Sequence, residues 1–379
     1  PRFPLKHFLS MALLLNQPLK LLCFRRKPAL VRSSPLLSND GLSSSLLQTP
    51  PCFIVSAKRC GRLAKEGKLV ILNPYEDECT SLDKKVPMAL LYDNELVTIG
   101  SSHGWIATLS QDDGLLRLQD DLNPVASDTN PKRIPLPPLV TLPHCQTQIV
   151  TNVSLSASSP EDEDCVVAVK FLGPQLSFCR PAQSNSEWIN IRIENPCFYS
   201  SRVMYSKKDN MFCIPGSGGH LIGTWDLRTH KHNLQSLQFQ NLPKLTKTKQ
   251  KLLDSCCKSE HLVESPAGET FLVKWYKKSS SKIIKGIAQM KTQALMVFKL
   301  DEQGNAVYTQ DIGDLCIFLS KSEPFCVLAS SFPGLCPNTV ILFDCDEGGF
   351  FDLDDSTIIT DVMPTSFKSN YLMPPQKLD

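Results

Sequence analysis

Gly100-Ser101-Ser102-His103-Gly104 fits the spacing G-x-S-x-G. In α/β-hydrolases that spacing lifts a serine onto a tight strand-to-helix turn, where its hydroxyl is exposed and backbone donors can hold an oxyanion. Here WIATL (105–109) follows, and its apolar, β-branched run reads as strand. No alternation of strands and helices surrounds it. The expectation is a tight entry into a strand with Trp105 in the core. Ser102 is still the only serine in a nucleophile-like context, so an organellar hydrolase is the enzymatic alternative.

Asp344, Asp346, Gly349, Asp352 and Asp355 fall at positions 1, 3, 6, 9 and 12 of a calcium-loop register. Such spacing converges oxygens on a hard cation. Gly348 at position 5 and a short Asp at position 12 depart from it, and strand-like runs flank it where helices are required. These four aspartates are weak metal candidates, and an acidic hairpin is the expected form. His230 and His232 have no Cys, Asp or Glu at ligand spacing and read as loop residues. Gly216-Ser217-Gly218-Gly219 lacks the lysine of a phosphate loop and reads as a hairpin turn. Trp225-Asp226 marks a strand end. No motif implies a cofactor.

Two basic stretches could meet nucleic acid. Lys244, Lys247, Lys249 and Lys251 have no interleaved aromatics. Lys277, Lys278, Lys282 and Lys285 flank Trp275 and Tyr276, a combination that could stack bases. An RNA-binding role for residues 275–285 is therefore the second alternative, against a solvated inter-strand loop.

The charge balance weighs against nucleic acid. The first 39 residues hold seven bases (Arg2, Lys6, Lys20, Arg25, Arg26, Lys27, Arg32) and no acid. Removing those seven from the 40 bases leaves 33 against 38 acids, a balance of about −5 from Asp40 onward. The basic segment has an apolar stretch at Phe8–Leu15 and a serine-rich continuation through Ser45. It reads as an organellar presequence, mitochondrial with the chloroplast as alternative, whether translation starts before Pro1 or at Met11. No apolar run is long enough to span a membrane. The 15 cysteines are irregularly spaced, with no C-x-x-C pair, and read as small buried hydrophobes of a reducing compartment. Cys256 and Cys257 are expected as one buried and one exposed neighbour.

From about Pro50 short apolar runs alternate with Gly, Pro, Asn and Asp turns: FIVSA (53–57), KLVILN (68–73), ELVTIG (95–100), CVVAVKFL (165–172), EWINIRI (187–193), TFLVKWY (270–276), ALMVFKL (294–300) and NTVILF (338–343). That is the strand signature. Residues 244–260 form a short helix or a loop. The runs recur in groups that start near Ser102, Cys165, Arg202, His261 and Cys316, with turns such as Asp112-Asp113-Gly114 inside them. Repeats of three or four strands at this period predict the blades of a propeller, six or seven in number. The predicted fold class is all-β: a single β-propeller over 50–360, after a disordered or helical presequence and linker (1–49) and before a C-terminal tail (361–379).

GSSHGWIATL (100–109), RIPLPPL (133–139), LVESPAGETFLVKW (262–275), VFKLD (297–301), DIGDLCIFLS (311–320), FPGLCPNTVILF (332–343) and FDLDDSTI (351–358) together resemble the KIB-type plant β-propellers, a family often attached to F-boxes. The resemblance implies a propeller over roughly 50–360 and supplies no catalytic residues. A presequence in place of an F-box is similar to an organellar branch of that family. No F-box pattern precedes the propeller, so a ubiquitin-ligase adaptor role is not carried over. The atypical tail leaves the pairing of the last strand open. The reading is a non-enzymatic, monomeric protein-interaction module with unidentified protein partners, no nucleic acid and no integral membrane segment.

Overall fold

In the computed structural model, residues 48–377 are described except 62–63, 74–77, 93–95, 111–113, 144, 146–148, 228–230, 285–286, 345–346 and 363–370. The expected presequence, Asp112–Asp113, His230, Lys285 and Asp346 lie outside the described residues. No helix among those residues is long and apolar enough to cross a membrane.

The β-rich runs form six sheets. Blade 1 holds β1 (Cys52–Arg59), β2 (Glu66–Asn73) and β3 (Glu78–Pro87). Blade 2 holds β4 (Leu96–Ser102), β5 (Trp105–Ser110), β6 (Leu116–Gln119) and β7 (Arg133–Pro135). Blade 3 holds β8 (Val150–Leu155), β9 (Val167–Phe171), β10 (Gln175–Cys179) and β11 (Ile189–Arg192). Blade 4 holds β12 (Met204–Ser206), β13 (Met211–Pro215), β14 (Leu221–Asp226) and β15 (Lys231–Ser236).

Blade 5 is larger. Its edge strand β16 (Gln238–Gln240) lies parallel to the last strand of the blade, and the rest are β17 (Cys257–Glu264), β18 (Thr270–Ile284), β19 (Ile287–Leu300) and β20 (Asn305–Thr309). Blade 6 runs β22-β21-β23-β24-β25, from β21 (Leu315–Ser320), β22 (Phe325–Leu328), β23 (Thr339–Phe343), β24 (Glu347–Asp352) and β25 (Ile358–Val362). β21 and β23 are parallel, so the chain doubles back at residues 321–324 to add β22 as the inner strand. The last strand, β26 (Tyr371–Met373), returns to blade 1 and pairs antiparallel with β1.

A blade is a small sheet with two apolar faces, each of which must be covered. Six apolar layers do this, one between each pair of neighbours. Between blades 6 and 1, Phe53, Leu72 and Leu372 meet Cys316, Phe318 and Phe343, with Phe53 and Phe343 edge to face at 4.9 Å. Between blades 3 and 4, Phe178 and Phe212 meet at 5.1 Å. The helix Lys247–Asp254, capped by Thr246 Oγ1 accepting from Lys249 N at 3.3 Å, occupies the middle of the expected helix-or-loop stretch 244–260, whose last residues belong instead to β17, from Cys257. Cys256 is buried and Cys257 exposed, as expected.

Two boundaries move. Blade 3 begins not at Cys165 but at β8, whose VTNVSL sequence hides Asn152 and Ser154 in the interior. Its polar residues mask it as a loop. The propeller also does not end at residue 360. Within the expected tail 361–379, β26 closes the ring, and a bridge from Gln48 to Lys377 extends the closure. Apolar burial drives this: Leu372 and Met373 are fully enclosed. Leu372→Ala should lower unfolding free energy by about 2–5 kcal/mol, measured by urea denaturation. Removal of residues 371–379 should abolish the cooperative transition.

Candidate functional site

β4 and β5 are joined by a two-residue turn, His103-Gly104, with φ of 52° and 88°. Two successive positive φ values are what a tight hairpin of this length needs. The G-x-S-x-G spacing thus serves a strand-turn-strand corner. Trp105 enters the core as expected, and its indole N–H donates to Ser158 O at 2.9 Å.

The hairpin aims Ser102 inward, toward the turn that joins β21 to β22. That turn puts Glu323 where inner strands of three other blades meet. Ser102 Oγ donates to Glu323 Oε2 at 2.5 Å, Ser154 Oγ to Oε1 at 2.6 Å, and Tyr205 N to Oε1 at 3.2 Å. Glu323 N donates to Ser101 O at 2.8 Å, and Ser101 Oγ donates to Ser322 Oγ at 2.6 Å. Arg202 donates to Ser320 O at 2.7 Å. Asn152 clasps Val203 from both sides, accepting from its N–H at 3.0 Å and donating to its carbonyl at 2.7 Å. Blades 2, 3, 4 and 6 are therefore stitched through one carboxylate and its neighbours.

Ser102 is fully engaged. Besides donating to Glu323, its oxygen accepts from Leu155 N at 3.1 Å and lies 2.9 Å from His103 Nδ1. The direction of the Ser102–His103 contact follows the imidazole tautomer, since Nδ1 donates when it carries the proton and accepts when it does not. In a Ser-His-acid triad the histidine stands between serine and acid. Here the serine stands between them, in direct contact with the acid, so the arrangement is not a serine–histidine–acid relay.

Burial raises Glu323 to about 7, against the opposing pull of the hydrogen bonds from Ser102, Ser154 and Tyr205 and the charge of Lys207. Burial lowers His103 to about 4, helped by Lys207. A second enclosed charge, Lys170, donates to the carbonyls of Phe171, Gly173 and Tyr199, the last two at 3.0 Å, and burial draws it down to about 7.

The other sequence candidates scatter. Asp344 is paired with Lys277. Asp352 accepts from Asp354 N at 2.9 Å and Asp355 from Thr357 N at 2.8 Å, each closing its own turn. β24 runs straight through the middle of the expected calcium register. No cluster of metal-binding side chains occurs among the described residues. Trp275 and Tyr276 are both buried, so neither presents a face for base stacking. Lys277 lies over the Trp275 ring at 3.7 Å, and Lys278 donates to Ser255 Oγ at 3.0 Å. His232 pairs in register with Trp225 on the exposed edge strand β15, and Gly216–Gly219 forms the β13–β14 turn.

Glu323 itself has no sequence signature. It is a lone acid before a proline, and its partners lie up to 221 residues away.

A model of the KIB1-4 β-propeller matches residues 72–360. No curated protein matches the sequence. Among solved structures, a protein from Lactobacillus plantarum is 11% identical over 85% of this chain and 99% of its own, with a TM-score of 0.41. Virginiamycin B lyase from Staphylococcus aureus is 9% identical over 73% of this chain and 87% of its own, with a TM-score of 0.33. Glutaminyl cyclase from Myxococcus xanthus is 10% identical over 75% and 93%, at 0.29. No residue role passes from these to this chain.

The near-neutral Glu323 gives a signed test. Its folded state holds a proton that the unfolded chain releases near 4.5, so its contribution to stability falls as pH rises from about 4.5 to 7. His103 acts oppositely, since the unfolded chain protonates first and stability rises from about 4 to 6.5. The informative quantity is the difference between wild type and Glu323→Gln. Wild type should lose stability relative to the variant across pH 4.5–7, read from urea midpoints.

Proposed function

The chain belongs to the KIB1-4 β-propeller family, and we propose that it acts as a protein-interaction module. The observation that carries this reading is the self-bonded polar centre. Ser102, the one residue in a nucleophile-like sequence context, spends its proton and accepting capacity on cross-linking blades. A centre tied together through Glu323 makes a rigid platform, and recognition then belongs to the loops and strand edges around it. Preorganised surfaces bind with little ordering cost.

We further propose that the module works in the mitochondrion. The support is the acid-free, seven-base opening of the sequence followed by a body of about −5. Positive charge suits import toward a membrane potential that is negative inside.

Both readings have direct tests. A fluorescent protein fused behind residues 1–49 should co-localise with a mitochondrial marker, and accumulation in plastids would replace the compartment. Affinity purification of the tagged full chain should return a reproducible set of proteins, and repeated recovery of none would defeat the module reading. A serine-reactive fluorophosphonate should leave the folded protein unlabelled. Labelling lost in Ser102→Ala would instead establish a hydrolase.

A further inference from the structure

The segment that leads into blade 5 lies across the face of its two longest strands. Leu253 and Cys256 pack on Tyr276 and Ala294 of β18 and β19, with Leu245 and Met296 beside them. Two cavities of about 300 and 270 Å³ flank this segment. Pro243, Leu245 and Met296 line both, which makes them halves of one trough. One half reaches Tyr276, and the other crosses the seam to Phe351 and Ile358 of blade 6.

The rim is basic. Residues 243–258 carry Lys244, Lys247, Lys249, Lys251 and Lys258, with Asp254 as the single acid. All five lysines are exposed. Only Lys258 approaches that acid, at 3.8 Å. This concentration stands out on a body whose own balance is about −5. A partly apolar trough under a mainly basic rim selects a partner of opposite charge that has something to bury.

We propose that this trough docks an acidic segment of a protein partner, with apolar side chains seated between Leu245 and Met296 and carboxylates facing the lysines. The proposal rests on the protein-interaction reading and gives it a surface. Aliphatic residues such as Leu245, Leu295, Met296 and Ile358 line the trough beside polar ones such as Gln250 and Gln310. Of its three rings Tyr276 and Phe351 are buried and Tyr308 is half-buried, and Lys258 lies 5.9 Å above Tyr276, so the trough offers no fully exposed ring face to a base. The first 39 residues of this chain hold seven bases and no acid, the wrong sign to fill the trough themselves.

The test uses the full chain and short synthetic peptides in which Asp and Glu alternate with Leu, Met and Phe. Parallel arms use the same peptides with Lys in place of the acids, a peptide of residues 1–39, and an oligouridylate. Wild type should retain the acidic peptides, less strongly as salt rises. K244E/K249E, on exposed side chains, should weaken retention by at least about tenfold. Its unfolding midpoint should match wild type.

No retention of acidic peptides, or retention unchanged in K244E/K249E, overturns the proposal. So does preference for the lysine peptides, for residues 1–39 or for oligouridylate. Self-association in sedimentation that the double variant abolishes would assign the trough to a second copy instead. Affinity purification separates the two levels. If K244E/K249E captures the same proteins as wild type, the trough fails and the module stands, whereas a wild type that captures none defeats the module itself.

Discussion

Ring closure is the constraint on which every other feature depends. A blade alone leaves two apolar faces in water, and each is covered only by a neighbour. The sixth layer, Phe53 and Leu372 against Phe318 and Phe343, exists only if chain from both ends of the propeller meets in one sheet. β26 does this by pairing Cys52, Phe53 and Ile54 with Met373, Leu372 and Tyr371. Three residues of strand thus hold together a contact that spans most of the sequence. Long-range pairing of this kind contributes only after a large loop-closure cost has been met. Closure is therefore expected to be cooperative with the whole ring and not a local docking event.

Closure also fixes the polar centre. Glu323 accepts from blades 2, 3 and 4 while its backbone belongs to blade 6, so its donors converge only when the ring is complete. Burial alone would favour a neutral carboxyl, and three donors favour the ionised one. The balance lies near neutrality, where the group sits between an ionic and a neutral cross-link. Ser101, Ser322 and Asn152 add bonds that do not titrate, so the centre does not rely on the carboxylate alone.

Much of the fold was legible because strand chemistry repeats. KLVILN, TFLVKWY and NTVILF announce themselves by β-branched and aromatic residues, and the blade count followed within one. The family match over 72–360 covers the same repeating portion. What escaped was what does not repeat. β8 carries Asn152 and Ser154 inward for bonds to other blades, so its pattern is not apolar. β26 is a short strand in a proline-flanked tail whose partner lies more than 300 residues away. The corner at Ser102 is legible as strand entry because WIATL outweighs the motif. The identity of its acceptor could not be read, since a lone Glu before Pro324 looks like any surface turn.

The blade 5 segment shows how charge totals can mislead. Averaged over the body, the chain is mildly acidic, and that average argues against a basic recognition surface. Averaging assumes that charges are spread, and here they are not. Four of the five lysines fall in the connection from β16 to β17, which crosses the outside of the sheet free of the pairing that fixes residues within strands, while Lys258 sits on β17 opposite Tyr276. The connection's apolar residues, Leu245 and Leu253, are anchored to the sheet, which turns the lysines outward. The lysines of strand β18 show the contrast. Lys274 donates to Gly218 O at 2.7 Å with its ammonium 3.8 Å from the Phe239 ring, and Lys277 is paired with Asp344 over Trp275. Equal residue types thus do different work according to whether they lie within the ladder or across it, and the trough arises where those two kinds of backbone meet.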